Sequence, residues 1–216
     1  MTLEAVLFDL DGTITDTEAD WAAVMDELAT ELGGAISPAA HAAMVGLPAE
    51  PSIAIIHAEL GLDRDWQVTA DELTRRLMQR YRVEIALRPG AAELLAAVRS
   101  AGLATALVTA TERPLVEMML ETLGGNGFDV LVTGTDVTRS KPDPEPYLRA
   151  LGALDVDADS AVAIEDSPHG TASAIAAGLR TLVVPSGVVV PTGPGRTFVS
   201  SLTDVGLSTL HDLLNG

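Results

Sequence analysis

Four short stretches of this chain carry side chains suited to acid, base, nucleophilic or metal chemistry, and each follows an apolar run. The first is Phe8-Asp9-Leu10-Asp11-Gly12-Thr13. Alternate side chains of an extended strand share a face, so Asp9 and Asp11 are expected to point to one side, and the glycine lets the chain turn sharply after them. The second, Val108-Thr109-Ala110-Thr111, offers hydroxyls and backbone amides just ahead of a helix, a cradle for phosphate oxygens. The third, Arg139-Ser140-Lys141-Pro142-Asp143-Pro144, holds the only lysine of a chain whose other twelve basic residues are arginines. A compact ammonium suits contact with one oxygen, where a guanidinium fork does not. The fourth, Ile164-Glu165-Asp166-Ser167, joins Asp9 and Asp11 in supplying the hard oxygen ligands that magnesium takes.

Each stretch has an ordinary reading when taken alone. Asp-x-Asp-Gly describes many solvated turns, a threonine at a strand end is commonly a cap, one lysine can fall anywhere, and paired acids cap helix N-termini. What separates them from chance is the frame that positions them. Short β-branched runs at Ala5–Leu10, Ala104–Thr109, Val130–Thr133, Ala161–Glu165 and Thr181–Val184 read as strands. Helical patterns at Ala91–Ala101, Pro114–Leu123, Pro144–Leu151 and Thr171–Ala177 alternate with them. This alternation predicts an α/β fold, a doubly wound parallel Rossmann-like sheet. Ligands of such sheets bind beyond the carboxyl ends of the strands, where all four stretches fall.

One interval breaks the alternation. Between the first strand and the next, Glu18–Leu32, Pro38–Val45, Glu50–Leu60 and Asp65–Ile85 read as consecutive helices stopped by Gly33-Gly34, Gly46 and Gly61. Residues 16–87 are therefore expected to form an inserted all-helical cap, with residues 1–15 and 88–216 as the catalytic core. The Pro- and Gly-rich stretch from Pro185 to Arg196 reads as a loop after the last strand.

Composition excludes several classes of function. A net charge of -18 repels a nucleic-acid backbone, and 3% aromatic residues offer few stacking platforms, so no nucleic-acid partner is expected. With no cysteine, disulfides, thiolate metal centres and cysteine nucleophiles are ruled out, and a reducing cytoplasm is the expected setting. The first residues show no basic leader pattern, and the longest apolar stretches, near Ala101–Ala110 and Leu182–Val190, are far short of the roughly 20 residues of a membrane span. Of the four histidines, His41, His57, His169 and His211, none has a metal-ligand spacing; His169, close to the acidic pair, reads as a helix-start surface residue.

Taken together, the motifs resemble those of the haloacid dehalogenase superfamily: Asp-x-Asp-Gly-Thr, a Ser or Thr after the second strand, a lysine, and an acidic pair. The resemblance extends over nearly the entire chain, including the helical insert directly after the first motif. It implies a magnesium-dependent phosphohydrolase acting on a small phosphorylated metabolite. Asp9 would attack phosphorus and form an aspartyl phosphate, while Asp11 would protonate the departing alkoxide and later accept a proton from water. Two anions about 3.5 Å apart repel by about 5 kcal/mol at an effective dielectric near 20, so cationic help is needed. Magnesium held by Asp9, the Asp11 carbonyl and Asp166 would give it, with Glu165 beside or just behind the ion and Lys141 on another oxygen. Leu10, Thr109, Ala110 and Thr111 would line the phosphate end. Thr17, Glu18, Trp21, Met44, Gly46 and Leu47 are the cap candidates for the leaving group, although ordinary helix packing explains Trp21 and Met44 equally well.

Within the resemblance, Asp11 favours phosphoryl transfer, because expelling halide needs no proton donor and dehalogenases lack an aspartate there. A sugar phosphomutase similar to β-phosphoglucomutase is the nearest rival. Those enzymes carry a histidine on the first cap helix and an arginine after the cap glycine, where this chain has Trp21 and Ala49. A silent binding or regulatory protein on the same fold is the rival from another class. The intact set of Asp9, Asp11, Lys141 and Asp166 speaks against it. A monomer or weak homodimer is expected.

Overall fold

The computed structural model describes residues 2–44, 47–125 and 127–215. Its centre is a parallel sheet of six strands among the described residues: β1 (Ala5–Phe8), β2 (Ala104–Val108), β3 (Val130–Val132), β4 (Ala161–Glu165), β5 (Arg180–Val183) and β6 (Arg196–Phe198). They lie in the order β3-β2-β1-β4-β5-β6, which places β1 between β2 and β4. β1 is buried along its whole length, as a strand covered on both faces must be, and its Ala-Val-Leu-Phe run is apolar throughout for that reason.

The two faces divide by strand alternation. Val6 and Phe8 join one core with Leu94 and Val98 of α5 (Ala91–Ser100), Val116 and Met119 of α6 (Arg113–Thr122), and Leu210 and Leu214 of α9 (Leu207–Asn215). Ala5 and Leu7 face the other core, with Tyr147 and Leu151 of α7 (Glu145–Leu154) and Ala174 of α8 (Pro168–Ala176). Helices cover both faces, which is the doubly wound α/β arrangement.

Four helices stand between β1 and β2: α1 (Glu18–Glu31), α2 (Pro38–Met44), α3 (Ala49–Leu60) and α4 (Trp66–Tyr81). α4 packs on α1 and α3 and also touches α6 of the core. The chain leaves and re-enters the core side by side. The Asp16 amide donates to Ala86 O at 2.8 Å and the Arg88 amide to Ile14 O at 2.9 Å, so two short segments pair at the base of the insert.

Several bounds differ from those the sequence suggests. β1 stops at Phe8, and beyond Asp9 the amides of Ile14 and Thr15 fold back onto the Leu10 carbonyl and close a tight loop that holds Asp11 off the regular strand. α4 ends at Tyr81 rather than Ile85. α8 opens at Pro168, with the Ser167 side chain accepting the Gly170 amide at 3.0 Å. Two elements had no counterpart in the sequence reading, the edge strand β6 and the closing helix α9. Pro185–Gly195 contains no helix or strand.

Candidate active site

The carboxyl ends of β1, β2 and β4 are adjacent in the sheet, and the groups that follow them meet. Asp9 continues the ladder for one residue, its amide donating to Ile164 O at 3.0 Å. Its Oδ1 accepts from Lys141 Nζ at 2.6 Å. Lys141 is 3% exposed and also donates to Glu165 Oε1 at 2.6 Å and to Val108 O at 2.9 Å, so its three donors are used. Burial opposes its charge, but Asp9 and Glu165 outweigh burial and hold its pKa above the usual lysine range.

Asp9 responds differently. Burial pushes its carboxyl up to about 7 against the pull of Lys141, and the charges of Glu165 and Asp11 add to the rise. Its second oxygen, Oδ2, is buried without a hydrogen-bond partner. A buried carboxylate oxygen left without a donor is costly unless a cation matches it.

Asp11 is held by hydroxyls. Oδ1 accepts from Thr17 Oγ1 at 2.8 Å, and Oδ2 from Thr111 Oγ1 at 2.7 Å and Thr109 Oγ1 at 3.3 Å. Thr109 Oγ1 in turn accepts the Thr111 amide at 3.0 Å, which fixes the turn after β2. Thr17 precedes α1, so the loop entering the insert is tied to the carboxylate beside Asp9.

Glu165 and Asp166 are neighbours with different surroundings. Glu165, fully buried, accepts from Lys141, from Tyr147 Oη at 2.8 Å and from Ser167 Oγ at 3.2 Å. Burial first, then the charge of Glu165, raises the Tyr147 pKa well above its ordinary value, so the phenol remains a donor. Asp166 accepts from Ser186 Oγ and borders the cleft. Two glycines allow this packing. A Cβ on Gly12, at φ +81°, would overlap Asp166 Oδ2, and a Cβ on Gly170 would overlap both Glu165 oxygens.

Carboxylate oxygens of Asp9, Glu165 and Asp166 lie within 4.8 Å of one another, close enough to share an ion. Hard oxygen donors around an unmatched Asp9 oxygen fit magnesium. The Glu165 oxygens already accept from protein donors, and this residue does not line the cleft.

The cleft has a volume of about 560 Å³ and lies between the sheet edge and the insert. Asp9, Asp11, Thr109, Ala110, Thr111, Lys141 and Asp166 border it on the core side, and Thr17, Trp21, Met44 and Leu47 on the insert side. The Leu10 side chain is fully buried in the core rather than facing the cleft, and its carbonyl accepts the loop amides. Gly46 and the side chain of Glu18 lie outside the described residues.

Three contributors were missed in the sequence. Tyr147 sits in a helix whose apolar spacing reads as core, so its hydroxyl gives no separate signal. Ser167 was quoted only as part of the motif. Ser186 was hidden in the loop after β5, although β5 pairs with β4 and the residues beyond Val183 therefore come close to Asp166.

Comparison with known proteins agrees with this geometry. Residues 6–184 match the family model described as haloacid dehalogenase-like hydrolase. The chain is 35% identical over 206 residues to protein CbbY of Cereibacter sphaeroides, covering 85% of this chain and 84% of that one. It is 34% identical over 196 residues to the N-acetylmuramic acid 6-phosphate phosphatase of Pseudomonas aeruginosa, covering 88% and 85%. Among solved structures, a CbbY variant from Rhodobacter sphaeroides in complex with xylulose-(1,5)bisphosphate superposes with a TM-score of 0.85 at 30% identity, covering 97% of this chain and 99% of that one.

Proposed function

The chain belongs to the haloacid dehalogenase-like hydrolases and is a phosphatase of that family, and from this premise we propose that Asp9 is its nucleophile, magnesium its cofactor and a small phosphate monoester its substrate. The observation that carries the reading is Asp9 itself. One oxygen is fixed by Lys141, the other has no protein partner, and Asp166 stands close enough to share an ion with it.

Asp9 and Asp166 would hold magnesium, with the Asp11 carbonyl completing the protein ligands. The ion would supply Lewis-acid polarisation of the phosphoryl group and charge compensation. Lys141 neutralises anionic charge and orients the Asp9 carboxylate. Glu165 serves as the buried counter-charge that keeps Lys141 protonated and in place, with Tyr147 holding Glu165.

Asp9 attacks phosphorus, forming its O–P bond as the bond to the ester oxygen breaks. Asp11, oriented by Thr17, Thr109 and Thr111, gives its proton to the departing alkoxide. In the second half-reaction it takes a proton from the water that cleaves the acyl phosphate. Backbone amides after β2 receive the phosphate oxygens. Residues 16–87 act as a cap that excludes bulk water, and residues 1–15 and 88–216 as the catalytic core.

The mutase reading is disfavoured because Trp21 and Ala49 line the cleft where a β-phosphoglucomutase-like enzyme carries histidine and arginine. No described helix is long and apolar enough to cross a membrane; the proposal includes a cytoplasmic monomer or weak homodimer. Phosphate release from p-nitrophenyl phosphate tests the proposal. Purified protein should turn over with magnesium, stop with EDTA, and lose activity at least about 1,000-fold as Asp9→Asn. Wild-type activity in that variant sinks the assignment.

A further inference from the structure

The cleft has two chemically distinct ends. At the sheet edge it is polar and charged. On the opposite side Trp21, Met44, Leu47, Leu73 and Leu77 of the insert form an apolar wall. Met44, Leu73 and Leu77 are 1–2% exposed and back this wall as core, while the half-buried Trp21 and Leu47 present its accessible surface.

Charge is distributed just as unevenly. Among the described residues that line the cleft, Lys141 is the one lysine or arginine, and both of its ion pairs lie at the Asp9 end. The remaining cation-forming group is His41, whose Nε2 lies 2.9 Å from Asp26 Oδ1. The start of α3 reaches the cleft at Ala49, where a helix could offer amides to an anion, but Glu50 already places a carboxylate in that first turn. Asp16 and Glu112 add further carboxylates to the lining. A second phosphate at the cap end would therefore meet an apolar surface with no lysine or arginine among the described lining residues.

Resting on the phosphatase reading and deepening it, we propose that the leaving group is an uncharged, predominantly hydrocarbon alcohol, so that the enzyme favours apolar monophosphate esters over sugar phosphates and rejects bisphosphates. Burying a hydrocarbon against the apolar wall is favourable, whereas a hydroxyl that meets that wall gives up its water partner. A distal phosphate would lose its hydration with no cation in return.

The test compares kcat/KM for cyclohexylmethyl phosphate, glucose 6-phosphate and fructose 1,6-bisphosphate, all of which can release phosphate from a primary alcohol. The expected order is that of naming, with at least about a tenfold gap between the first two. Trp21→Ala should shrink that gap at least about threefold through KM, and Trp21→Phe should retain most of it. Equal or higher kcat/KM for the sugar phosphate or the bisphosphate overturns the proposal while leaving the phosphatase reading intact. Release of phosphate from none of the three, nor from p-nitrophenyl phosphate, strikes the phosphatase reading instead. If Trp21→Ala does not fold, the substrate order in the wild-type protein still decides.

Discussion

At the scale of single residues, the site turns on one ammonium shared by two carboxylates. Burial first, opposed by Lys141 and aided by the charge of Glu165, moves the Asp9 carboxyl from an ordinary 3.8 to about 7. Because the folded value lies above the unfolded one, this group favours the metal-free fold fully below about pH 4 and loses that contribution as pH climbs through 7. Proton and cation then compete for the same carboxylate. Magnesium affinity should be nearly constant above about pH 8 and weaken by up to about tenfold per unit below 7, with proton release on binding. Titration calorimetry at pH 6 and 8 in buffers of different ionisation heat measures both quantities; a dissociation constant indifferent to pH refutes the argument. Glu165→Gln should shift the fall-off to lower pH, since one of the charges that raises the Asp9 value is gone. The same change should cost about 10- to 100-fold in kcat, because Lys141 loses one of its two carboxylate partners.

At the scale of elements, positions that carry no chemistry decide whether these side chains can meet. Gly170 lies in the first turn of α8 and packs directly on Glu165. A methyl group there forces either the helix away from β4 or the carboxylate away from Lys141. Gly170→Ala should therefore destabilise the fold by about 1–3 kcal/mol and lower kcat with little change in KM. A variant with unaltered melting temperature and kcat would show that α8 has room the packing denies. The strand ends carrying Asp9, Thr109 and Asp166 were legible in the sequence because apolar runs, turns and polar residues alternate there in a regular way. The family resemblance set Asp166 on the ion and Glu165 beside or just behind it, and left the buried partners of Glu165 undrawn; successive residues at a strand end point to opposite sides, so only one of the pair faces the cleft. β6 was illegible for a plainer reason: three residues at a sheet edge, mostly exposed, carry no alternation to detect. α9 was a missed reading rather than a silent one, since Leu207, Leu210 and Leu214 recur at helical spacing and the last two are buried.

At the scale of the whole molecule, a formal charge of -18 on 216 residues makes the folded chain repel itself, and the cleft concentrates that repulsion where the function needs it. Two effects of added salt should separate. Monovalent salt screens all the carboxylates and should raise the melting temperature gradually, without saturation at micromolar or low millimolar levels. Magnesium should do this and, in addition, bind one site in the folded chain alone. At about 100 times its dissociation constant that binding adds about 2.7 kcal/mol of stability. In a chain of this length the gain amounts to about 5–10 °C, on a saturating curve. Asp166→Ala removes one carboxylate of thirty-one acidic residues, so its screening response should be almost that of the wild type. Its saturable magnesium increment should vanish, because the oxygen proposed to share the ion with Asp9 is gone. Thermal melts of both proteins in sodium chloride and magnesium chloride at matched ionic strength make the comparison. If magnesium stabilises the two equally, its action is bulk screening of an acidic surface, and the acidic cluster at the sheet edge is not where the cation binds.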